Sequence, residues 1–374
     1  MGLSTEAPAT DRPPAVPESF HSLLAGFRLR LERALNAWLE ARRQAAAAGE
    51  SPEMLELIEG VGLLATHGGK RLRPALVYYT YRAFHGGADD EVLPLALATE
   101  LLHTYLLIHD DIMDHAEVRR GLPAAHVRFR DAHRAHGLKG DAADFGRSVA
   151  ILLGDLAQSW AVELAAPAFP KGGGELARCF SAMCQEVVGG QYLELLVAQR
   201  RAGTEEELLR VLRLKSGRYT CERPIQLGAL LAGAPARAFA DLSRYGAAVG
   251  EAFQLQDDLL GTFGDAGTVG KPVDADLREG KYTFLIHRAL QAAGPGQRRA
   301  LEAALGNPDA TAAQVDAAVR VLEETGARAA VTAMIAERLR TARAALAALT
   351  PFDLAPEGRL FLAGLIDWLR ERER

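Results

Sequence analysis

Residues 20–39 read FHSLLAGFRLRLERALNAWL, and within them Leu23, Phe27, Leu31, Leu35 and Leu39 recur at every fourth position. That spacing follows the 3.6-residue helical period and not the alternation of a strand, so it predicts an amphipathic helix. The same period continues almost to the end of the chain, giving on the order of a dozen helical segments and no convincing strand. Gly and Pro clusters punctuate them at Gly68-Gly69, Gly86-Gly87, Pro167 to Gly174, Gly233 to Pro235, Gly264 to Pro272 and Gly294-Pro295-Gly296. Long helices on short connections favour antiparallel neighbours, so the expected fold class is all-α, a helical bundle. No Pro- or Ser-rich linker divides the interior, so residues 18–374 read as one domain. Ahead of it, Pro8, Pro13, Pro14 and Pro17 among small and acidic residues mark 1–17 as a disordered leader.

A chain of 374 residues with 49% hydrophobic content can bury an extensive core. Its 43 Lys and Arg against 48 Asp and Glu give a formal charge of -5, so no global basic field attracts nucleic acid, and an anionic substrate must be held by local cations or by metal. Cys179, Cys184 and Cys221 are odd in number and lack CxxC spacing, which suggests neither a disulfide framework nor a zinc site. The sequence reading finds no apolar run of membrane-span length and no signal peptide, so the expectation is a soluble, cytoplasmic protein.

Two helices carry a similar acidic signature far apart in sequence. The first runs Leu101-Leu102-His103-Thr104-Tyr105-Leu106-Leu107-Ile108-His109-Asp110-Asp111-Ile112-Met113-Asp114, the second Phe253-Gln254-Leu255-Gln256-Asp257-Asp258-Leu259-Leu260. At about 100° per residue, Asp110 and Asp114 share one helical face with Asp111 beside them. Like charges so close repel, and a hard divalent cation relieves them; carboxylate oxygen without nearby Cys suits Mg²⁺, commonly completed by substrate phosphates. Taken singly, each motif reads equally well as a solvated helix end. Together they can face each other across one cavity. Lys70, Arg71 and Arg73 follow Gly68-Gly69, Arg119 and Arg120 follow the first motif, and Lys271 and Lys281 follow the second. Any one of these clusters is ordinarily a solvated charge run, but Arg and Lys beside glycine also suit phosphate oxygens.

These landmarks, with Pro74 closing the first basic segment, Gly121 after Arg120, and Gly190-Gln191 and Lys215-Ser216 between the acidic motifs, resemble in order and spacing the trans-isoprenyl diphosphate synthases of the polyprenyl synthetase family. The resemblance covers roughly residues 20–370. It implies the isoprenoid synthase fold, long helices around a deep central cavity, assembled as a homodimer. It implies condensation of isopentenyl diphosphate with dimethylallyl, geranyl or farnesyl diphosphate to an all-trans prenyl diphosphate. Asp110, Asp111, Asp114 and Asp257 would hold Mg²⁺, three ions per site, with Asp258 and Lys215 completing the catalytic set. Lys70, Arg73 and Arg120 would bind the diphosphate of isopentenyl diphosphate with His103 nearby; Arg119, Lys215, Lys271 and Lys281 would face the allylic diphosphate, and Gln254 would line the chamber. The chain departs from the family where Gly261 stands in place of a third Asp, for which Asp265 is a candidate substitute, and where Glu194 and Ser216 replace Asp and Thr.

Tyr105, five residues before Asp110, lies about 7.5 Å back along the helix axis, with Leu106 one turn back. In the family an aromatic there often floors the cavity, although core packing is the ordinary role of one Tyr in an apolar helix. With no insertion inside Asp110 to Asp114, the expected product is short, geranylgeranyl (C20) ahead of farnesyl (C15). A terpene cyclase would not need the second anion site formed by Lys70 to Arg73. A non-catalytic accessory subunit would have little reason to retain both acidic motifs.

Overall fold

The computed structural model describes residues 19–49, 53–264 and 275–371; the leader reading for 1–17 and the roles expected of Asp265 and Lys271 fall outside them. Helix α1 (Phe20–Ala48) starts at Ser19, whose hydroxyl accepts the Ser22 N–H, and buries Leu23, Phe27, Leu31, Leu35 and Leu39. Then come α2 (Glu53–Thr66), α3 (Leu72–Ala83) and α4 (Asp89–Met113), followed by α5 (Ala125–Ala135), α6 (Ala142–Ala165), α7 (Glu175–Arg200) and α8 (Glu205–Val211). A π-helical segment, Leu212–Glu222, leads into α9 (Arg223–Leu231) and α10 (Phe239–Phe263). The chain ends with α11 (Ala275–Glu279), α12 (Phe284–Ala292), α13 (Pro295–Ala304), α14 (Ala312–Glu324), α15 (Ala327–Ala348) and α16 (Pro356–Glu371). Capping is written into the sequence: Thr204 with Glu207 and Thr311 with Gln314 each close a capping box.

The fold is all-α, as the periodicity predicts. Helix α4 packs against α3 and α6, while α10 packs against the π segment and α15. Buried side chains from Phe20 to Leu369 form one continuous cluster. The expectation of no strand needs one correction. Val118–Arg119 (β1) and Leu122–Pro123 (β2) pair antiparallel, joined by Arg120 and Gly121 with φ of 53° and 78°. Two successive left-handed residues match the twist of a tight hairpin, which accounts for Gly121.

A second correction concerns apolar length. Asp89–Met113 and Ala142–Ala168 are long and apolar enough to cross a membrane by composition. In α4 that surface is spent on the protein interior, where Leu95, Leu97, Leu101, Leu102 and Ile108 are buried. Length and hydropathy alone do not separate a core helix from a span.

π-Helices longer than one turn are rare and gather at functional sites. Here the eleven-residue segment lies against glycines of its neighbours. A side chain at Gly190 of α7 would overlap the Lys215 backbone, one at Gly250 of α10 would overlap Gly217, and a Cβ at Gly246 would stand 2.6 Å from Glu222 Cα. Those three positions let bare backbone meet the segment that carries Lys215.

Candidate active site

Helix α4 ends within the first acidic motif: its last helical residue is Met113 and Asp114 caps it. The hairpin that follows turns Arg119 back onto the motif. Arg119 Nε donates to Asp111 Oδ1 at 2.7 Å, and its Nη2 lies 3.8 Å from Asp110 Oδ2. The left-handed turn sends the adjacent Arg120 the other way, where Nη1 donates to the His67 carbonyl at 2.9 Å and the guanidinium lies against Gly69. Two neighbouring arginines thereby serve two different places.

The second wall comes from α10. Asp257 pairs with Lys70 at 3.2 Å, and the Lys70 ammonium also sits 4.9 Å from the centre of the Phe253 ring. Asp258 accepts from Gln254 Nε2 at 2.7 Å. Burial pushes the Asp258 carboxyl up to about 7, and the neighbouring Asp276, Asp257 and Glu194 add to the rise against the Gln254 bond. Lysines bridge the walls: Lys215 lies 3.6 Å from Asp110 and pairs with Glu194, while Lys281 lies 3.3 Å from Asp114, 3.6 Å from Asp276 and 3.0 Å from Glu279. Burial opposes both charges, but the surrounding carboxylates outweigh it, raising Lys215 and holding Lys281 well above the ordinary lysine range. Glu194 thus does the work of an acid partner despite departing from Asp.

Two cavities meet at Lys215, Ser216, Gln254 and Asp257. One, of about 320 Å³, holds Lys70, Asp258, Gly261, Asp276 and Lys281. The other, of about 480 Å³, runs from Asp110 past His109 to Tyr105 and Leu106, with Val187, Val188 and Tyr192 of α7 opposite. Arg73 and His103 open into this second cavity. Arg73 Nη2 donates to Thr220 Oγ1 at 2.8 Å, its guanidinium stacks 4.4 Å from the Tyr219 ring centre, and Tyr219 Oη lies 3.0 Å from His103 Nδ1. Burial, reinforced by Arg73, Arg120, Arg119 and Arg71, holds the His103 imidazole well below its usual pKa, hence neutral. Among the described residues, Arg73 Nε and Gln191 Nε2 are buried donors without an acceptor.

The sequence reading did not anticipate Tyr219, Thr220 or Asp276. Tyr219 and Thr220 follow Lys215 within the π segment and could have been found only by asking what lies near the marked lysine. Asp276 is visible through its partner: at Gly261 a Cβ would stand 2.6 Å from Asp276 Oδ2, so the volume that a third acid in α10 would use holds a carboxylate from α11. No cysteine lines either cavity. The donor set of hard carboxylate oxygens fits Mg²⁺. Among the described residues no three such ligands close around one point, as expected where a metal is completed by phosphate oxygens and water and not by a protein cage.

Carboxylates on two helices, with Asp110, Asp111, Asp114 and Asp257 each matched by an Arg or Lys able to grip phosphate, define an enzyme that works on diphosphate esters, and the apolar side chains lining the larger cavity suit a hydrocarbon tail. The chain belongs to the polyprenyl synthetase family, whose model matches residues 56–322. It is 33% identical over 314 residues to a short chain isoprenyl diphosphate synthase of Methanothermobacter thermautotrophicus, covering 83% of this chain and 88% of that one. It is 35% identical to a geranylgeranyl diphosphate synthase of Methanosarcina mazei, over 72% of this chain and 77% of the relative. A geranylgeranyl pyrophosphate synthase of Corynebacterium glutamicum, crystallised with isoprenyl diphosphate and magnesium, superposes with a TM-score of 0.87 at 32% identity, over 93% and 99% of the two chains. The activity is that of a trans-prenyltransferase, a polyprenyl diphosphate synthase.

Proposed function

We propose that this enzyme makes geranylgeranyl diphosphate from isopentenyl diphosphate and an allylic diphosphate, with Mg²⁺, three ions per site, held by Asp110, Asp111, Asp114 and Asp257. The observation that carries the reading is the pairing of acids with cations on both walls: Asp110 with Lys215, Asp111 with Arg119, Asp114 with Lys281 and Asp257 with Lys70. When bound, Mg²⁺ supplies charge neutralisation for the departing diphosphate. Arg119, Lys215 and Lys281 face the allylic diphosphate and stabilise negative charge as its carbon–oxygen bond breaks; Lys271, expected to share that role, lies outside the described residues. Lys70, Arg73 and Arg120, with His103, hold isopentenyl diphosphate, and the unpaired Arg73 Nε is a donor ready for a phosphate oxygen. Gln254 lines both cavities, which is consistent with a place in the shared chamber. The cavity walls exclude water while the double bond attacks the allylic carbon.

The proposed path of the tail is along α4, where Tyr105 and Leu106 line the larger cavity, and these two side chains favour C20. We take residues 18–374 as one domain, on the ground of the continuous core, and the enzyme as cytoplasmic. Ile151 and Leu152 on α6 and Val188 and Tyr192 on α7 are large apolar side chains about half exposed or more; covering them against a second copy makes a homodimer.

The test is an assay of the purified chain with isopentenyl diphosphate and each allylic primer, with products sized. All-trans C20 diphosphate, lost with EDTA and restored by excess Mg²⁺, is expected. A hydrocarbon released without isopentenyl diphosphate would make it a cyclase, and products of only C30 or longer would overturn the product assignment.

A further inference from the structure

Helices α4 and α6 pack extensively against each other, and His109 meets Gly154 within that contact. His109 Nε2 lies 3.1 Å from the Ile151 carbonyl oxygen. A carbonyl only accepts, so Nε2 carries the hydrogen and the ring's position and tautomer are fixed together. The ring rests where α6 has Gly154: a Cβ there would overlap the imidazole, with Cδ2 and Cε1 as well as Nε2 among its nearest atoms. Gly154 is buried in the middle of α6, where Gly costs about 1 kcal/mol against Ala in helix propensity. The space it leaves is filled by the side chain of His109.

What the ring does from that place follows from its neighbours. His109 is one turn beyond Tyr105 on the same face of α4, and the two rings meet edge to face at 4.8 Å between centres. Both line the larger cavity together with Leu106 and Asp110. A ring drawn back against α6 leaves the cavity its width. A ring displaced from α6 can turn into the cavity it lines, and it carries with it the edge that meets Tyr105.

We propose that Gly154 and His109 form a specificity-determining pair, in which His109 is a side wall of the prenyl-tail cavity and Gly154 is the positioning residue that lets it retract. The inference rests on the reading of this cavity as the tail site. Its consequence is that product length is set from α6 as well as from Tyr105. Side-chain bulk at position 154 acts through the imidazole, not by direct contact with the tail.

The experiment compares wild type, Gly154→Ala, His109→Ala and the double variant, with isopentenyl diphosphate and farnesyl or geranyl diphosphate, sizing the products and recording a melting curve for each. Gly154→Ala is expected to shift the C15 to C20 ratio toward the shorter product by roughly tenfold, the scale of discrimination a methylene makes in an apolar pocket. His109→Ala, which only removes atoms, is expected to extend products beyond C20. The double variant is expected to lose the shortening, because the imidazole that the added methyl group would push is gone. Unchanged product length in His109→Ala overturns the proposal even if Gly154→Ala fails to fold, and so does shortening that persists in the double variant. Wild type that makes no prenyl diphosphate from these substrates defeats the functional reading itself. Wild type that makes C20 alongside variants with identical products defeats only the pair.

Discussion

Asp276 sets its Oδ2 2.6 Å from the point where a Cβ of Gly261 would stand, so α11 and α10 share one acidic position between them. The first motif has acids at i, i+1 and i+4; the second has Asp257 and Asp258, then Gly261 at i+4. Asp276→Asn is expected to raise the Mg²⁺ concentration needed for half-maximal rate by about tenfold, the scale seen when a group supporting a metal site is removed. The double variant G261D/D276N should recover part of the loss, since it returns a carboxylate to the same volume from α10. An unaltered Mg²⁺ titration for Asp276→Asn would assign Asp276 to pairing with Lys281 alone.

Tyr105 lines the larger cavity beside Leu106. Tyr105→Ala removes the ring at that depth and is expected to lengthen the principal product by one or more isoprene units. Chromatographic sizing of the dephosphorylated products checks it, and a product distribution identical to wild type would return Tyr105 to the core.

His103 gives a pH dependence of stability. Its folded-state pKa lies below its ordinary value of about 6.5, so the unfolded chain takes up a proton that the native site resists. The stability this contributes is present above about pH 6.5 and is lost as pH falls toward the folded value. Wild type should therefore lose melting temperature relative to His103→Gln between pH 7.5 and 5, values chosen to bracket about 6.5. Parallel melting curves across that window would count against the buried neutral imidazole.

Arg71, held at a left-handed φ of 54°, pairs with Glu100, both almost wholly buried. Removing one partner strands the other, and Glu100→Ala should cost about 3–5 kcal/mol by denaturant unfolding. An apolar pair, Arg71→Met with Glu100→Leu, should regain much of that stability. It should not regain activity, because the loop carrying Lys70 and the first turn of α3, which carries Arg73, lose their anchor. A single variant within about 0.5 kcal/mol of wild type would contradict the anchoring role.

Much of this site is readable along the chain because its acids break apolar helical stretches. Asp110, Asp111 and Asp114 interrupt an apolar helix, and Asp257 and Asp258 do so again, a placement that core packing alone does not favour. The four-residue period of Leu23 to Leu39 likewise appears as the buried face of α1. What stays hidden are partners brought in from afar. Arg73 meets Thr220 across 147 positions, and Lys70 meets Asp257 across 187. Neither Thr220 nor Asp276 has a spacing that distinguishes it from any other polar residue.

The sequence by itself determined the all-helical class, the two acid motifs and the departure at Gly261, because helical period and charge placement are local properties of neighbouring residues. Only the tertiary structure decided that Arg119 and Arg120 face opposite ways, since a left-handed hairpin turn rotates one against the other. It alone brought Asp276 into the place of the missing acid and fitted His109 into the gap left by Gly154. Those choices depend on excluded volume and charge between segments far apart in the chain, and only packing brings such segments together.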